Sequence, residues 1–486
     1  MANVDYGQIR QERIWVTRET TFNTQKQPAS RDAVILRGRA TLPSVLTDRV
    51  PSEEIRETPD IDQLINRKKP PGEFELPFYA KSTSTRGKLP QWASLLLNVM
   101  GTEQIVLDVL DFADLDTNNN TVTVTIAGTP TVLTEEVEWN AATSNAATAT
   151  SLASAINALS GVSAVAVGTE VLVTRDVGIG DVQISSNAPL VDLDLKEIRY
   201  KLATDILENS LTITHLADNI LHHYRGCHVS MVSWVISGSD EGMIRFTGWL
   251  GNEVFVGYHT LQTTLPDGVG TAVVVAEDLR ALVGPNADDV VYIRIDNEEM
   301  KVTANDYATK TFTVERGQNG TSAVSHTAGA VVSPVFPVSD PENNDTIVPM
   351  TLGSFVFAGD THRIAEATIS NDERLEPRID EWAEPALTGY RRPLEGRNVA
   401  MEFTAYQRAT ILELLSSAER GITNVVTVTI GKAGFSPQII LSLPKYQLMR
   451  PEKAERGGEF ARVFRGIGLA SGTPGNDGLA VTVRAA

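Results

Sequence analysis

Four residues within one short stretch carry the side chains of a metal site: His222, His223, Cys227 and His228. Structural zinc, however, is held by paired Cys-x2-4-Cys or His-x3-5-His units, and this spacing supplies neither. His228 also opens an alternating run with Val229, Met231 and Val235, so the cluster reads as part of a strand with Cys227 as a small buried hydrophobe. Acid pairs such as Glu298–Glu299 and Asp288–Asp289 could serve as general acid and base only if burial raised one of the two, and they sit among turn residues. The chain holds no G-x-S-x-G elbow, no phosphate loop and no H-E-x-x-H, and Gly87–Lys88 lacks the glycine before it and the hydroxyl after it. Arg456–Gly457–Gly458 is too short for an RNA-binding segment. These residues predict no enzyme, no cofactor and no metal.

The elements that would have to position any chemistry come from a chain of 486 residues, with 61 Asp and Glu against 42 Lys and Arg, net −19. A hydrophobic share of 42% and a charged share of 21% are those of a folded globular protein. At about 100–200 residues per domain, two to four domains are expected. One cysteine excludes an internal disulfide. No run of 18 apolar residues occurs, and Asp5, Gln8, Gln11 and Glu12 stand where a signal peptide needs apolar residues. The expectation is a soluble product of a reducing compartment. Acidity argues against tight nucleic-acid binding, which needs clustered cations.

The acidity is unevenly placed. Residues 105–195 contain twelve Asp and Glu and one basic residue, Arg175, a net of −11; residues 271–335 contain nine acidic and five basic, a net of −4. The remainder is close to neutral. Two inserted modules are therefore expected, at 105–195 and 271–335, within a body formed by 1–104, 196–270 and 336–486.

In the first module, Val122, Val124 and Ile126 alternate with Thr121, Thr123 and Thr125, a half-buried strand. A second strand should follow the turn at Gly128–Pro130. Asn145 should cap a helix whose Leu152, Ala155, Ile156 and Leu159 repeat at helical spacing before Gly161. Strands at Val162–Val167 and Val171–Arg175 complete a ββαββ unit. The second module alternates at Val291, Ile293 and Ile295 and again at Phe312 and Val314, with Gly317, Asn319 and Gly320 as turn residues.

The body also reads as mostly β: Val34–Leu42, Phe74–Ala80, His228–Ser237, Met243–Leu250, Arg363–Ser370, Asn398–Ala405, Val425–Ile430 and Gln438–Leu443. Helices are expected from Gln91 to Met100 and from Gln407 to Arg420, each closed by a glycine. The fold class is mainly β with a few helices (α+β). Trp15, Trp92, Trp234, Trp249 and Trp382 lie beside apolar stretches and read as packing residues; Trp139, inside the acidic module, is harder to place. Between Pro51 and Pro71 runs a polar segment of about twenty residues without periodicity, acidic at its start (Glu53, Glu54, Glu57) and basic at its end (Arg67, Lys68, Lys69). It reads as a solvated excursion or as an arm that meets a neighbouring subunit through complementary charge.

Three stretches of the body, GCHVSMVSWVISGSDEGMIRFTGWLG (226–251), IAEATISNDERLEPRIDEW (364–382) and RRPLEGRNVAMEFTAY (391–406), together resemble tail tube proteins of long-tailed bacteriophages. The helix expected after the last of them fits the same pattern. The resemblance implies a β-sandwich or barrel body, hexameric rings whose sheets join edge to edge, and rings stacked into a tube with the 51–71 arm between them. It implies tape-measure, tail-terminator and tail-tip proteins as partners, genomic double-stranded DNA passing through without specific binding, and a place in the virion after assembly in the host cytoplasm. The modules depart from the minimal pattern, and extra mass outside the tube implies a tail without a contractile sheath. A surface glycan-binding or adhesion module at a tail tip is the alternative. Within the tube reading, reversing Arg67, Lys68 and Lys69 to Glu should block stacking and spare the fold.

Overall fold

The computed structural model describes residues 12–46, 49–51, 64–67, 69–83, 85–116, 120–141, 143–204, 210–217, 219–238, 241–266, 268–283, 289–337, 345–349, 353–379, 387–393, 396–408, 411–432, 437–472 and 477–485. Strands make up 54% and helices 9%, so the chain is mainly β with helices added. No helix among the described residues is long and apolar enough to cross a membrane.

One antiparallel sheet organises the body. Gly72–Tyr79 pairs with Met243–Leu250, which pairs with Ile220–Ser237, then Glu366–Asp372, Asn398–Tyr406 and Glu459–Gly468. From there the order continues through Gln438–Leu448, Ala480–Arg484, Leu193–Leu202, Gly101–Val109, Glu170–Arg175 and Val162–Val167. Helix Ala93–Met100 touches both Ile220–Ser237 and the pair Gly101–Val109 and Leu193–Leu202, so the sheet rolls over it. That helix is apolar nearly all round and buried on every side, as such a sequence requires.

Strict alternation explains the first six strands. Phe74, Leu76, Phe78, Ile244, Phe246, Val232, Trp234, Ile369, Met401, Phe403 and Phe464 are buried in one core; their neighbours face outward. Ile220–Ser237 extends further, and its first half pairs with Leu211–Ala217 on one side and Asn252–Gly257 on the other. Here both faces are covered, which erased the alternation from the sequence and hid the residues before His228.

An order of elements occurs twice. A two-stranded ribbon (Arg49–Pro51 with Leu64–Asn66) leads to strand Gly72–Tyr79, helix Ala93–Met100, the left-handed Gly101 (φ 88°) and strand Gly101–Val109. A second ribbon (Glu376–Arg378 with Gly389–Arg391) leads to strand Asn398–Tyr406, helix Ile411–Arg420, the left-handed Gly421 (φ 62°) and strand Thr423–Ile430. Glycine serves at both helix ends because the αL turn carries no penalty without a Cβ.

The two acidic stretches are built differently. Residues 105–195 contain the expected order Thr121–Ile126, Thr129–Thr134, Asn145–Asn157, Val162–Val167 and Glu170–Arg175, with a further strand Val182–Ser186. The expected limits cut through Gly101–Val109 and Leu193–Leu202, which belong to the rolled sheet. Ser144, not Asn145, caps the helix by accepting from Ala147 N–H at 3.2 Å. Asn145 instead accepts from Phe112 N–H (3.0 Å) and donates to Leu110 C=O (2.7 Å), tying the helix to its neighbour. Residues 271–335 form most of a separate six-stranded sheet with His259–Thr260. Its core gathers Val273, Ile293, Met300, Phe312 and Val332 with Trp15, Leu221, Val254 and Val256 of the body.

One expected strand is absent: of Val34–Leu42 only Val34 lies in a strand, the two-residue Ala33–Val34. Gly38 and the charged Arg37 and Arg39 interrupt the run, and the segment lies irregularly along Gly72–Tyr79.

Candidate assembly surface

The segment expected to be an arm begins and ends in an antiparallel ribbon, with Arg49 opposite Asn66, Val50 opposite Ile65 and Pro51 opposite Leu64. Adjacent strand residues point to opposite faces, and here both are apolar and open: Leu64 is 58% exposed and Ile65 49%. Leu46 is exposed at the ribbon's base. The ribbon pairs with no other strand among the described residues, and a lone two-stranded ribbon is marginal in water. Arg67 is exposed and Lys69 half-buried; Glu53, Glu54, Glu57 and Lys68 lie outside the described residues. The corresponding second ribbon is tied down. Tyr390, buried, donates to Gly226 C=O (2.7 Å), and Trp249 Nε1 donates to Leu375 C=O (2.9 Å) just before it.

The outward face of the first six strands is the second surface. Register places Tyr79, Met243, Val235, Thr368, Glu402 and Arg465 in one row, and Glu75, Thr247, Met231, Asp372 and Asn398 in another. Its arginines are neutralised in place. Arg245 lies 2.9 Å from Glu75, and Arg465 lies 2.6 Å from Glu402 and 2.7 Å from Glu452. Arg456 reaches Glu366 at 2.7 Å and holds its carboxyl below the ordinary range. These pairs are half-exposed, so each contributes little to stability; what they do is remove free positive charge from the face.

Sheet borders decide whether copies could pair edge to edge. Two borders are closed by the chain itself. Asn157 donates to Ala164 C=O (2.6 Å) and accepts from Ala164 N–H (2.7 Å), plugging the outer edge of Val162–Val167. Along Gly72–Tyr79, Arg37 N–H donates to Pro77 C=O (2.9 Å), and Thr41 and Glu75 exchange two bonds of 3.0 Å. Among the described strands, Glu452–Arg456 pairs only with Glu459–Gly468, leaving its other edge, of sequence EKAER, without a strand beside it.

Clusters that could be mistaken for chemistry are structural. His222 and His223 point to opposite faces of one strand. His222 Nδ1 lies 2.8 Å from Glu253, and His223 Nδ1 lies 2.9 Å from Thr214 Oγ1. Burial, then the neighbouring His222, pulls His223 down to about 3, so it is neutral. Cys227 donates to Tyr224 C=O (3.3 Å), and burial pushes its thiol up. His228 Nδ1 lies 3.1 Å from Val229 C=O. Each of the four side chains is held by a partner of its own.

In the second module, His326 stands between Asp296 (2.7 Å) and Glu298 (2.9 Å), a grouping that the sequence alone did not single out. Glu298 is fully buried and also accepts from Arg316 (2.6 and 2.7 Å), Gly317 N–H and Val324 N–H (both 3.0 Å). Desolvation alone would raise its carboxyl; the bonds from Arg316, Val324, His326 and Gly317 outweigh it and bring it to about 2. Every acceptor is engaged, so this is a clamp for the 317–326 loop. Glu19, buried in the body, is the opposite case. Desolvation raises it to about 7 despite bonds from Ser210, Gly226, Thr212 and Asn23.

Of the tryptophans, Trp15, Trp92, Trp234 and Trp139 are buried and Trp249 is half-buried; Trp382 lies outside the described residues. Trp139 donates to Leu133 C=O at 3.2 Å inside the first module. No family model matches this chain, and no curated protein matches its sequence.

Proposed function

We propose that this chain is a non-enzymatic structural subunit of a phage tail tube, in which copies join into rings and rings stack around a channel for genomic DNA. The observation that carries the reading is the Arg49–Asn66 ribbon, apolar on both faces and hydrogen-bonded to no other described strand. Burying the exposed half of Leu64 and Ile65 in a neighbour would recover about 1–1.5 kcal/mol for each side chain at every contact. The ion-paired face of the six strands is the surface suited to the channel: duplex DNA adheres where free Lys and Arg displace its counterions, and here carboxylates occupy the arginines. The open edge at Glu452–Arg456 is the border offered to the next copy, its alternating charges setting register.

The resemblance implies rings of six chains. Because ribbon, strand, helix and strand occur twice in this chain, three chains supply six such units and six chains supply twelve. Both acidic modules belong outside the channel, consistent with a tail that carries no sheath. Tape-measure, terminator and tip proteins are the partners of such a tube, and the virion its location.

Negative-stain microscopy of the purified chain tests this. Rings or tubes are expected, and their rotational symmetry counts the chains. Leu64→Glu with Ile65→Glu should leave circular dichroism and melting unchanged and abolish assembly, whereas reversing Arg67, Lys68 and Lys69 to Glu should permit rings and block stacking. A wild-type chain that stays monomeric at every concentration, or a double variant that assembles normally, sinks the reading. Glycan binding lost on removal of residues 105–195 would favour an adhesion module instead.

A further inference from the structure

Two turns of the acidic module meet at one place. Asp116 follows the short helix Phe112–Leu115, and Glu135 and Glu136 follow strand Thr129–Thr134. One carboxylate oxygen from each residue lies within 4.8 Å of the other two. Asp116 and Glu136 are exposed, and exposed acids often gather without consequence. Glu135 is different. It is 1% exposed, its Oε2 is buried with no hydrogen-bond partner, and its Oε1 accepts a long bond (3.4 Å) from Ala141 N–H. A buried carboxylate oxygen without a donor is costly, and the nearby Glu136 and Asp116 add repulsion to that burial.

We infer that Asp116, Glu135 and Glu136 form a binding site for a divalent cation, Ca2+ in preference to Mg2+. The ligand set is all oxygen, which suits hard cations. Ca2+ takes six to eight oxygens in flexible geometry, which suits carboxylates free to bind through one oxygen or two, whereas Mg2+ demands a near-ideal octahedron and gives up its water reluctantly. Three carboxylates supply three to six oxygens, according to how many bind through both, and water at the exposed Asp116 and Glu136 completes the shell. A site with this much open water belongs to the weak class, with Kd of about 0.1–1 mM. The ion would give the buried Glu135 carboxylate a counter-charge and tie the end of the short helix to the turn after Thr129–Thr134, inside a module of net charge −11. It stands independently of whether the chain builds a tube.

Trp139 offers a reporter, because its backbone forms a bridge with Glu135 and its indole is buried in the same module. Full-length protein freed of metal with a chelator would be titrated with Tb3+, a luminescent stand-in for Ca2+, with excitation through tryptophan. One saturable site is expected, displaced by Ca2+ at concentrations at least tenfold below those needed of Mg2+. Glu135→Gln and the exposed Asp116→Asn should each abolish the signal, and Trp139→Phe should lose emission while keeping a Ca2+-dependent rise in melting temperature. The Asp116 variant guards against misfolding at the buried position. Equal Tb3+ emission and equal Ca2+ response in wild type and Asp116→Asn would show diffuse counterion binding and overturn the site.

Discussion

The two acidic stretches look alike in composition and are attached to the body in opposite ways. Residues 105–195 share the body's core and extend its sheet, and their single basic residue, Arg175, is committed inward. Its Nη2 donates to Glu103 (2.9 Å) and its Nε lies 2.6 Å from the same carboxylate, both side chains almost fully buried. Arg18 donates to Asp176 C=O and Ile179 C=O (both 3.1 Å), and Arg86 meets Asp194 at 2.5 Å. Residues 271–335 keep a sheet of their own and meet the body through a second core, the Phe255–Leu282 pairing and the buried Arg225–Asp289 pair. Local charge density therefore does not tell a grafted module from an extension of the main sheet. Where hydrogen bonds cross the boundary does.

The largest expected effect falls at the first boundary. Arg175→Ala leaves Glu103 buried without its cation and should cost about 3–5 kcal/mol. Because that module shares the body's core, the loss should move one cooperative urea transition followed by far-ultraviolet circular dichroism. A separate early transition, with the body's midpoint unmoved, would break the comparison.

A smaller and more local effect is expected in the second module. Glu298→Gln sets an amide among four donors and should cost about 1–3 kcal/mol, seen as faster amide exchange confined to residues 291–334. Acid sharpens the contrast. Glu298 is held near 2 when folded, against an ordinary 4.5, so its contribution is complete above 4.5 and fades as pH falls toward 2. Glu19 in the body is raised from 4.5 to about 7, so its contribution is complete below 4.5 and is lost as pH rises through 7. Amide exchange at pH 3 should find the second module loosened and the body firm. Uniform loosening would mean that the two cores are energetically one.

The smallest effect concerns a border. Asn157→Ala removes both bonds that plug Val162–Val167, at a cost of about 1–2 kcal/mol. Since Val165 and Val167 are exposed on that strand, light scattering should show new concentration-dependent association. No change would mean that the helix already screens the edge.

Much of this architecture was legible from period and punctuation. Met243–Leu250 and Val162–Val167 occur as the alternation of their residues predicts, and both glycine-closed helices are present because αL ends are a local matter. What was hidden is whatever depends on distant partners. The first half of Ile220–Ser237 lost its alternation by being covered on both faces, and Val34–Leu42 kept an apolar look while serving as an irregular cover. The convergence of Asp116 with Glu135, and of His326 with Glu298, is fixed by the fold across gaps that no spacing rule spans. Of the arm, the sequence showed its polarity; its ribbon, with Leu64 and Ile65 turned outward, needed coordinates.

The 18 residues of Ile220–Ser237 would reach at most about 60 Å at roughly 3.3 Å each, and four neighbouring strands are laced to them. A pull along that axis loads many hydrogen bonds in shear at once, so none can peel alone. The strand works as a tie-rod with one joint: at the left-handed Gly226 (φ 65°) it passes from its first pair of neighbours to its second, so tension entering beside the second module reaches the six-stranded body through that single residue.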